Sequence, residues 1–134
     1  MPPPPKTFYE QEITRLYSEI PLRPEQYLLI RQSKAFMENY YSEQIELDDL
    51  AKAAFMSRFH YVRIFKQIYG RTPRNYLRDM RIKKAKHLLK AGNPVTYTCI
   101  EVGYESLTTF SSVFKKCTGY SPREFQNLHK SNRE

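Results

Sequence analysis

The chain is predicted to be all-α, built from two helix-turn-helix subdomains joined by one long linker helix. Three observations predict this. Residues 57–77 (SRFHYVRIFKQIYGRTPRNYL) repeat as 106–126 (SLTTFSSVFKKCTGYSPREFQ) at a constant offset of 49. Ser57 falls on Ser106, Tyr61 on Phe110, Phe65-Lys66 on Phe114-Lys115, Gly70 on Gly119, Thr72-Pro73 on Ser121-Pro122 and Tyr76 on Phe125. A repeat of this kind is one supersecondary unit used twice. Glycine and proline also fall where helices stop and start, and no stretch of useful length alternates with a period of two.

Taken in order, Pro2 to Pro5 read as a short extended tail. Residues 7–20 place Tyr9, Ile13, Leu16, Tyr17 and Ile20 at helical spacing, and Pro21 and Pro24 end that helix. Pro24 suits the first turn of the next helix, which reaches Tyr41 with Leu28, Leu29, Ala35, Phe36 and Tyr40 available for burial. From Ile45, the segment IELDDLAKAAF puts Leu47, Leu50, Ala51 and Ala54 on one stripe, and Asp48-Asp49 suit a helix start. Residues 55–57 turn into a helix over 58–69, which Gly70 stops. Thr72-Pro73 is an N-cap followed by an N1 proline, opening a long helix over 73–91 that ends at Gly92. After Asn93-Pro94, residues 95–102 form a short helix, Gly103-Tyr104 turn, 106–118 form the second copy of the 58–69 helix, and Ser121-Pro122 opens a last helix to about Leu128. The organisation is therefore a tail and short helix (1–23), a first subdomain (24–72), a linker helix (73–92) and a second subdomain (93–134).

Composition narrows the function. The 134 residues are 40% hydrophobic, which suits modest cores, and the net charge is +8, which points to a polyanionic partner. No run of about 18 apolar residues exists, so no transmembrane helix is expected. The N-terminus lacks the apolar core of a signal peptide. Two cysteines, Cys99 and Cys117, make neither a disulfide framework nor a zinc spacing. His60, His87 and His129 have no ligand spacing among them, so no metal and no cofactor is expected. A reducing cytoplasmic setting follows.

A helix-turn-helix packs one face of its second helix inward and frees the other for a major groove. Phased at about 100° per residue, helix 58–69 turns Tyr61, Ile64, Phe65 and Ile68 inward and Phe59, Val62, Arg63 and Lys66 outward. Helix 106–117 turns Phe110, Val113, Phe114 and Cys117 inward and Thr108, Ser111, Ser112 and Lys115 outward. An outward Phe59 either meets thymine methyls and sugars or tucks under a neighbouring loop. Arg63 either forks onto guanine O6 and N7 or makes a surface ion pair.

These residues resemble the AraC/XylS-type bacterial transcription activators over about residues 28–128. The carriers are Leu50-Ala51, Ser57 through Phe65-Lys66 with Gly70, the linker pattern Arg81-Ile82-x-x-Ala85-x-x-Leu88-Leu89, and Val102-Gly103-Tyr104-Glu105-Ser106 with Phe110, Phe114-Lys115 and Gly119-Tyr120-Ser121-Pro122. The resemblance implies homeodomain-like three-helix units, a linker helix that sets their separation, and two helices entering adjacent major-groove segments of double-stranded DNA. It implies base contacts by Phe59, Val62 and Arg63 in the first unit and by Leu107, Thr108 and Ser112 in the second. Phosphate contacts then fall to Arg58, His60, Lys66 and Thr72, and to Thr109, Ser111, Lys115 and Ser121. Where the family carries Arg, this chain has Ser112, which has no fork for guanine, so the second unit would read weakly or mainly position the protein. Cys99 and Thr98 stand where the family has Ala and Ile; Cys99 reads as a small buried residue.

The resemblance also implies a nucleoid-associated regulator that contacts RNA polymerase as an activator, with an effector domain or dimerisation partner if the protein is longer. Arg78, Arg81, Lys83, Lys84, Lys86, His87 and Lys90 on the linker helix divide between a backbone footprint and solvation, with Arg81 bracing the two units internally. Arg71, Arg74 and Arg123 lie beside helix starts. A protein-docking or membrane-surface module is the rival reading, and the spread of cations over both units argues against it. No Ser/His/Asp, Cys/His, metal or phosphate-loop pattern suggests an enzyme, and neither cysteine lies in a methyl-acceptor motif.

Overall fold

A computed structural model describes Phe8 and residues 23–130; the Pro-rich tail, the expected 7–20 helix apart from Phe8, and residues 131–134 lie outside the described residues. Seven helices follow one another among the described residues: α1 (Pro24–Tyr40), α2 (Leu47–Ala53), α3 (Arg58–Tyr69), α4 (Pro73–Lys90), α5 (Val95–Glu101), α6 (Leu107–Thr118) and α7 (Pro122–Leu128). All are α-helical, as the absence of a period of two predicts.

Two hydrophobic clusters form. The first unites Ile30 and Met37 of α1, Leu50 and Ala51 of α2, Ala54 just beyond α2, and Tyr61, Ile64 and Phe65 of α3. The second unites Ile82, Ala85 and Leu89 of α4 with Cys99, Val102, Phe110, Phe114 and Phe125. Helix α4 serves both, because Tyr76, Leu77 and Met80 in its first half pack on the first cluster and its second half builds the other. Burying such side chains contributes on the order of 1.5–3 kcal/mol each before conformational entropy is set against it.

The face that α1 buries is not the one its apolar pattern suggests. Leu28, Phe36 and Tyr40 are exposed, as is Ala35, while Ile30, Ser33 and Met37 are buried. The buried stripe contains a serine because its hydroxyl is satisfied twice. Ser33 Oγ donates to the Ile30 carbonyl at 2.7 Å, and the Tyr61 hydroxyl donates to Ser33 Oγ at 2.8 Å. A relay of this kind removes the cost of burying both hydroxyls. Burial pushes the Tyr61 phenol up to about 12, with the Ser33 hydrogen bond acting in the opposite direction.

That shift has a sign. A raised folded pKa means that the fold favours the neutral phenol. The stability it contributes is whole below about pH 10, where unfolded tyrosine titrates, and is lost as pH rises through about 12. Tyr61→Phe is expected to lower stability by about 1 kcal/mol at pH 7 and to flatten the alkaline fall in Tm. Thermal melts at neutral pH and near pH 11 read both effects.

The C-terminal end of α4 is closed by a residue far along the chain. Gln126 Nε2 on α7 donates to the Leu89 carbonyl at 3.0 Å and to the Asn93 carbonyl at 2.7 Å. Cys99 is buried, and burial raises its thiol above the usual value, as suits a small core residue and not a reactive one.

Candidate nucleic-acid interface

The repeat in sequence is a repeat in structure. Helices α3 and α6 are both 12 residues long. Ser57 Oγ accepts the His60 amide at 3.2 Å, and Ser106 Oγ accepts the Thr109 amide at 3.2 Å. Gly70 and Gly119 close the two helices in the left-handed region, at φ 75° and 85°, each donating its amide to a lysine carbonyl one turn back. Thr72 and Ser121 then cap α4 and α7 through the Asn75 and Glu124 amides, with proline at the first helical position. These two hydroxyls have accepted a backbone amide and retain an O–H to donate.

The inward sets hold except in the last turn. Tyr61, Ile64, Phe65, Phe110 and Phe114 are buried and Val113 is half-buried, but Ile68 and Cys117 are exposed. These last two positions correspond by the 49-residue offset, and both lie where the helix has run past its cluster. In the first unit Tyr69 takes the inward place, its ring 4.7 Å from Phe65. Val62 was expected outward; it is half-buried and packs on the first cluster, because a short branched side chain at the edge of the stripe reaches the core.

On α3 Phe59 lies outward, whereas Arg63, expected outward, is half-buried against it. Phe59 is 57% exposed and is not tucked under a loop. The Arg63 guanidinium lies 5.3 Å from its ring centroid, a cation–π contact one turn apart that the i,i+4 spacing announces. Lys66 is exposed. Arg58 is exposed and lies 3.7 Å from Asp48 of α2, a surface pair of little energetic consequence. Burial first, and then the charge of Arg63, hold the His60 imidazole below its usual range. The corresponding face of α6 is small and hydroxylic. Leu107 is 43% exposed, Thr108, Thr109, Ser112 and Lys115 are exposed, and Ser111 is half-buried.

The linker cations divide. Arg71 and Arg78 both bond Asp79, at 2.6 Å and 3.0 Å. Lys83, Lys84, His87 and Lys90 are exposed, and Lys90 lies over the Phe125 ring. Arg81 turns inside and bonds the carbonyls of Tyr41 and Glu43. The ion pairs Arg58–Asp48 and Arg71–Asp79 were not legible in the sequence, since their partners lie ten and eight positions apart on different elements. No described helix is long and apolar enough to cross a membrane.

Known proteins share this arrangement. Residues 50–128, more than half of the chain, match the family model for a helix-turn-helix domain. The chain is 33% identical over 103 residues to the HTH-type transcriptional regulator in the cgkA 5′ region of Pseudoalteromonas carrageenovora, covering 77% of this chain and 61% of that protein. It is 32% identical over 93 residues to the HTH-type transcriptional activator RhaS of Escherichia fergusonii, covering 69% of this chain and 34% of that one. Among solved structures, the DNA-binding domain of AdpA in complex with a target DNA superimposes with a TM-score of 0.72 at 25% identity, covering 78% of this chain and 95% of that domain. The C-terminal domain of AraT, a response regulator from Geobacillus stearothermophilus, gives a TM-score of 0.71 at 26% identity, covering 81% and 88%. The chain thus spans less than two thirds of the curated relatives it matches. Its paired, identically capped helices and the match over residues 50–128 make it a member of the AraC/XylS-type helix-turn-helix transcription regulators, carrying that family's DNA-binding domain.

Proposed function

We propose that this protein is a sequence-specific double-stranded DNA-binding activator that reads adjacent major-groove segments with α3 and α6. The observation that carries the proposal is the pair of matched helices whose exposed faces differ in chemistry. The first presents a stacked Phe59–Arg63 pair, and the second presents Thr108 and Ser112 at the corresponding positions. In this reading Arg63 forks onto guanine and Phe59 contacts thymine methyls and sugars. Val62, half-buried, contributes only an apolar edge. Leu107, Thr108 and Ser112 make weaker base contacts, so the second unit mainly fixes register. Arg58, His60, Lys66, Thr72, Thr109, Ser111, Lys115 and Ser121 hold the phosphate backbone, which sets affinity and its salt dependence. The solved complex of the AdpA domain with DNA supports the mode of binding, and the RhaS relative supports activation.

Activation then proceeds by contact with RNA polymerase in the cytoplasm, at the nucleoid. The functional division is a first reading unit (24–72), a linker (73–92) and a second unit (93–134), with an effector domain or dimerisation partner if the chain is part of a longer protein. Selection from a random duplex library tests the reading. The expected product is a bipartite site whose half-elements lie about one helical turn apart, with strong preference in one half and weak preference in the other. Uniform, salt-sensitive binding with no enrichment would reject specific recognition.

A further inference from the structure

The two helix-turn-helix turns have the same backbone design and opposite surroundings. In the first, Phe55 donates its amide to Lys52 and Met56 to Ala51; in the second, Gly103 donates to Ile100 and Tyr104 to Cys99. Both turns pass through positive φ, at Phe55 (55°) and Gly103 (103°). Phe55 is 88% exposed, whereas Gly103 is buried. What covers Gly103 is the first unit. A Cβ there would meet Ser42 Cα, Ser42 O and Tyr41 O, each at 3.0 Å. Backbone thus packs on backbone across the two units, with no space for a side chain.

Polar contacts surround this point. Gln44 Nε2, in the α1–α2 loop, donates to the Gly103 carbonyl at 3.1 Å. Arg81 donates from Nε to the Tyr41 carbonyl at 2.7 Å and from an Nη to the Glu43 carbonyl at 2.8 Å. The same guanidinium lies 5.4 Å from the centroid of the Tyr104 ring, and that ring lies 5.5 Å from Phe110, inside α6. One half-buried arginine therefore joins the α1–α2 loop, the linker helix and the second turn. An interface that rests on α4 alone would leave the second unit free to twist about that helix.

We propose that Arg81, Gln44 and Gly103 form a tie that locks the angle between the two units, and that the tie makes the protein select its operator by half-element spacing as well as by sequence. Arg81 and Gln44 act as positioning residues and touch no base. The inference rests on the two-headed reading above. Each base pair added between half-elements turns the second by about 34° and moves it about 3.4 Å. A locked pair of heads follows such a change only by deforming the DNA. An unlocked pair follows it by twisting the linker.

Two measurements test this. The first compares the selected bipartite duplex with versions carrying one base pair more or fewer between half-elements, for wild type, Arg81→Lys, Arg81→Ala and Gln44→Ala. Wild type is expected to lose about tenfold or more on either change, and the Arg81 variants less than about threefold. Affinity for a duplex with one half-element scrambled should be the same in all four. Arg81→Lys keeps the charge but has no fork to span two carbonyls. Equal spacing penalties in all proteins would overturn the tie.

The second measurement needs no DNA. Spin labels at exposed Cys117 and at a Gln67→Cys substitution report the distance between α6 and α3. A narrow distribution that broadens in Arg81→Lys is expected, with urea melts confirming that each variant folds. Equally narrow distributions would reject the tie itself. A broadened distribution with no bipartite preference in wild type would instead keep the tie and reject two-headed reading.

Discussion

Replacing Arg63 with alanine is expected to weaken binding to the selected duplex roughly 5- to 150-fold, the equivalent of about 1–3 kcal/mol for a forked contact to guanine. Sequence preference should relax in one half-element and persist in the other. The geometry explains why the fork matters. The guanidinium is held over the Phe59 ring, 5.3 Å from its centroid, so its plane is oriented before DNA arrives. Arg63→Lys separates charge from shape, because lysine keeps the cation but presents a point charge without the fork. It should keep the salt dependence of wild type and lose most of the discrimination. Competition titrations against matched and single-base-substituted duplexes, each at several salt concentrations, give both quantities. If Arg63→Ala instead weakens every duplex equally and lowers the salt slope by about one, Arg63 holds a phosphate and reads no base.

Phe65→Ala should be the most damaging single change in the first unit, costing about 3–5 kcal/mol. The ring is fully buried and lies 6.0 Å from Tyr61, 4.7 Å from Tyr69 and 5.8 Å from Tyr76, centroid to centroid. It therefore joins α3 to the start of α4, and truncation leaves a cavity that three large rings cannot easily refill. Against a total stability of about 5–15 kcal/mol for a small domain, that loss leaves a sizeable unfolded population. Urea unfolding measures the cost. Hydrogen exchange locates it, with α1, α2 and α3 expected to lose protection before α6 and α7, because the second cluster shares none of its buried side chains with the first. A loss below about 1.5 kcal/mol, or equal loss of protection in both units, would contradict this account.

Much of the fold was legible because its signals are local. Ser57, Thr72, Ser106 and Ser121 cap helices with side chains that reach only three residues on, and Gly70 and Gly119 stop them. Helices α3, α4 and α6 accordingly lie within a residue of their expected bounds. Helix α1 was misread for an equally physical reason. It carries two stripes at helical spacing, and the one with more apolar area, through Leu28, Phe36 and Tyr40, is the exposed one. Ser33 weakens the buried stripe as a sequence pattern, and its burial is made favourable by the Ile30 carbonyl together with the hydroxyl of Tyr61, 28 residues away. Ile68 and Cys117 show the complementary failure, since phase alone does not report where a helix passes beyond its core.

By itself the sequence determined the helical class, the doubled unit, the caps and the outward place of Phe59, Lys66, Thr108, Ser112 and Lys115. Each follows from spacing along one helix or from a side chain bonding its own backbone. The tertiary structure alone decided which face α1 buries, and that Arg81, Gln44 and Gly103 meet across two units. Those facts depend on residues 28 to 59 positions apart, whose proximity is set by how two hydrophobic clusters share one helix. A periodicity carries no information about its partner.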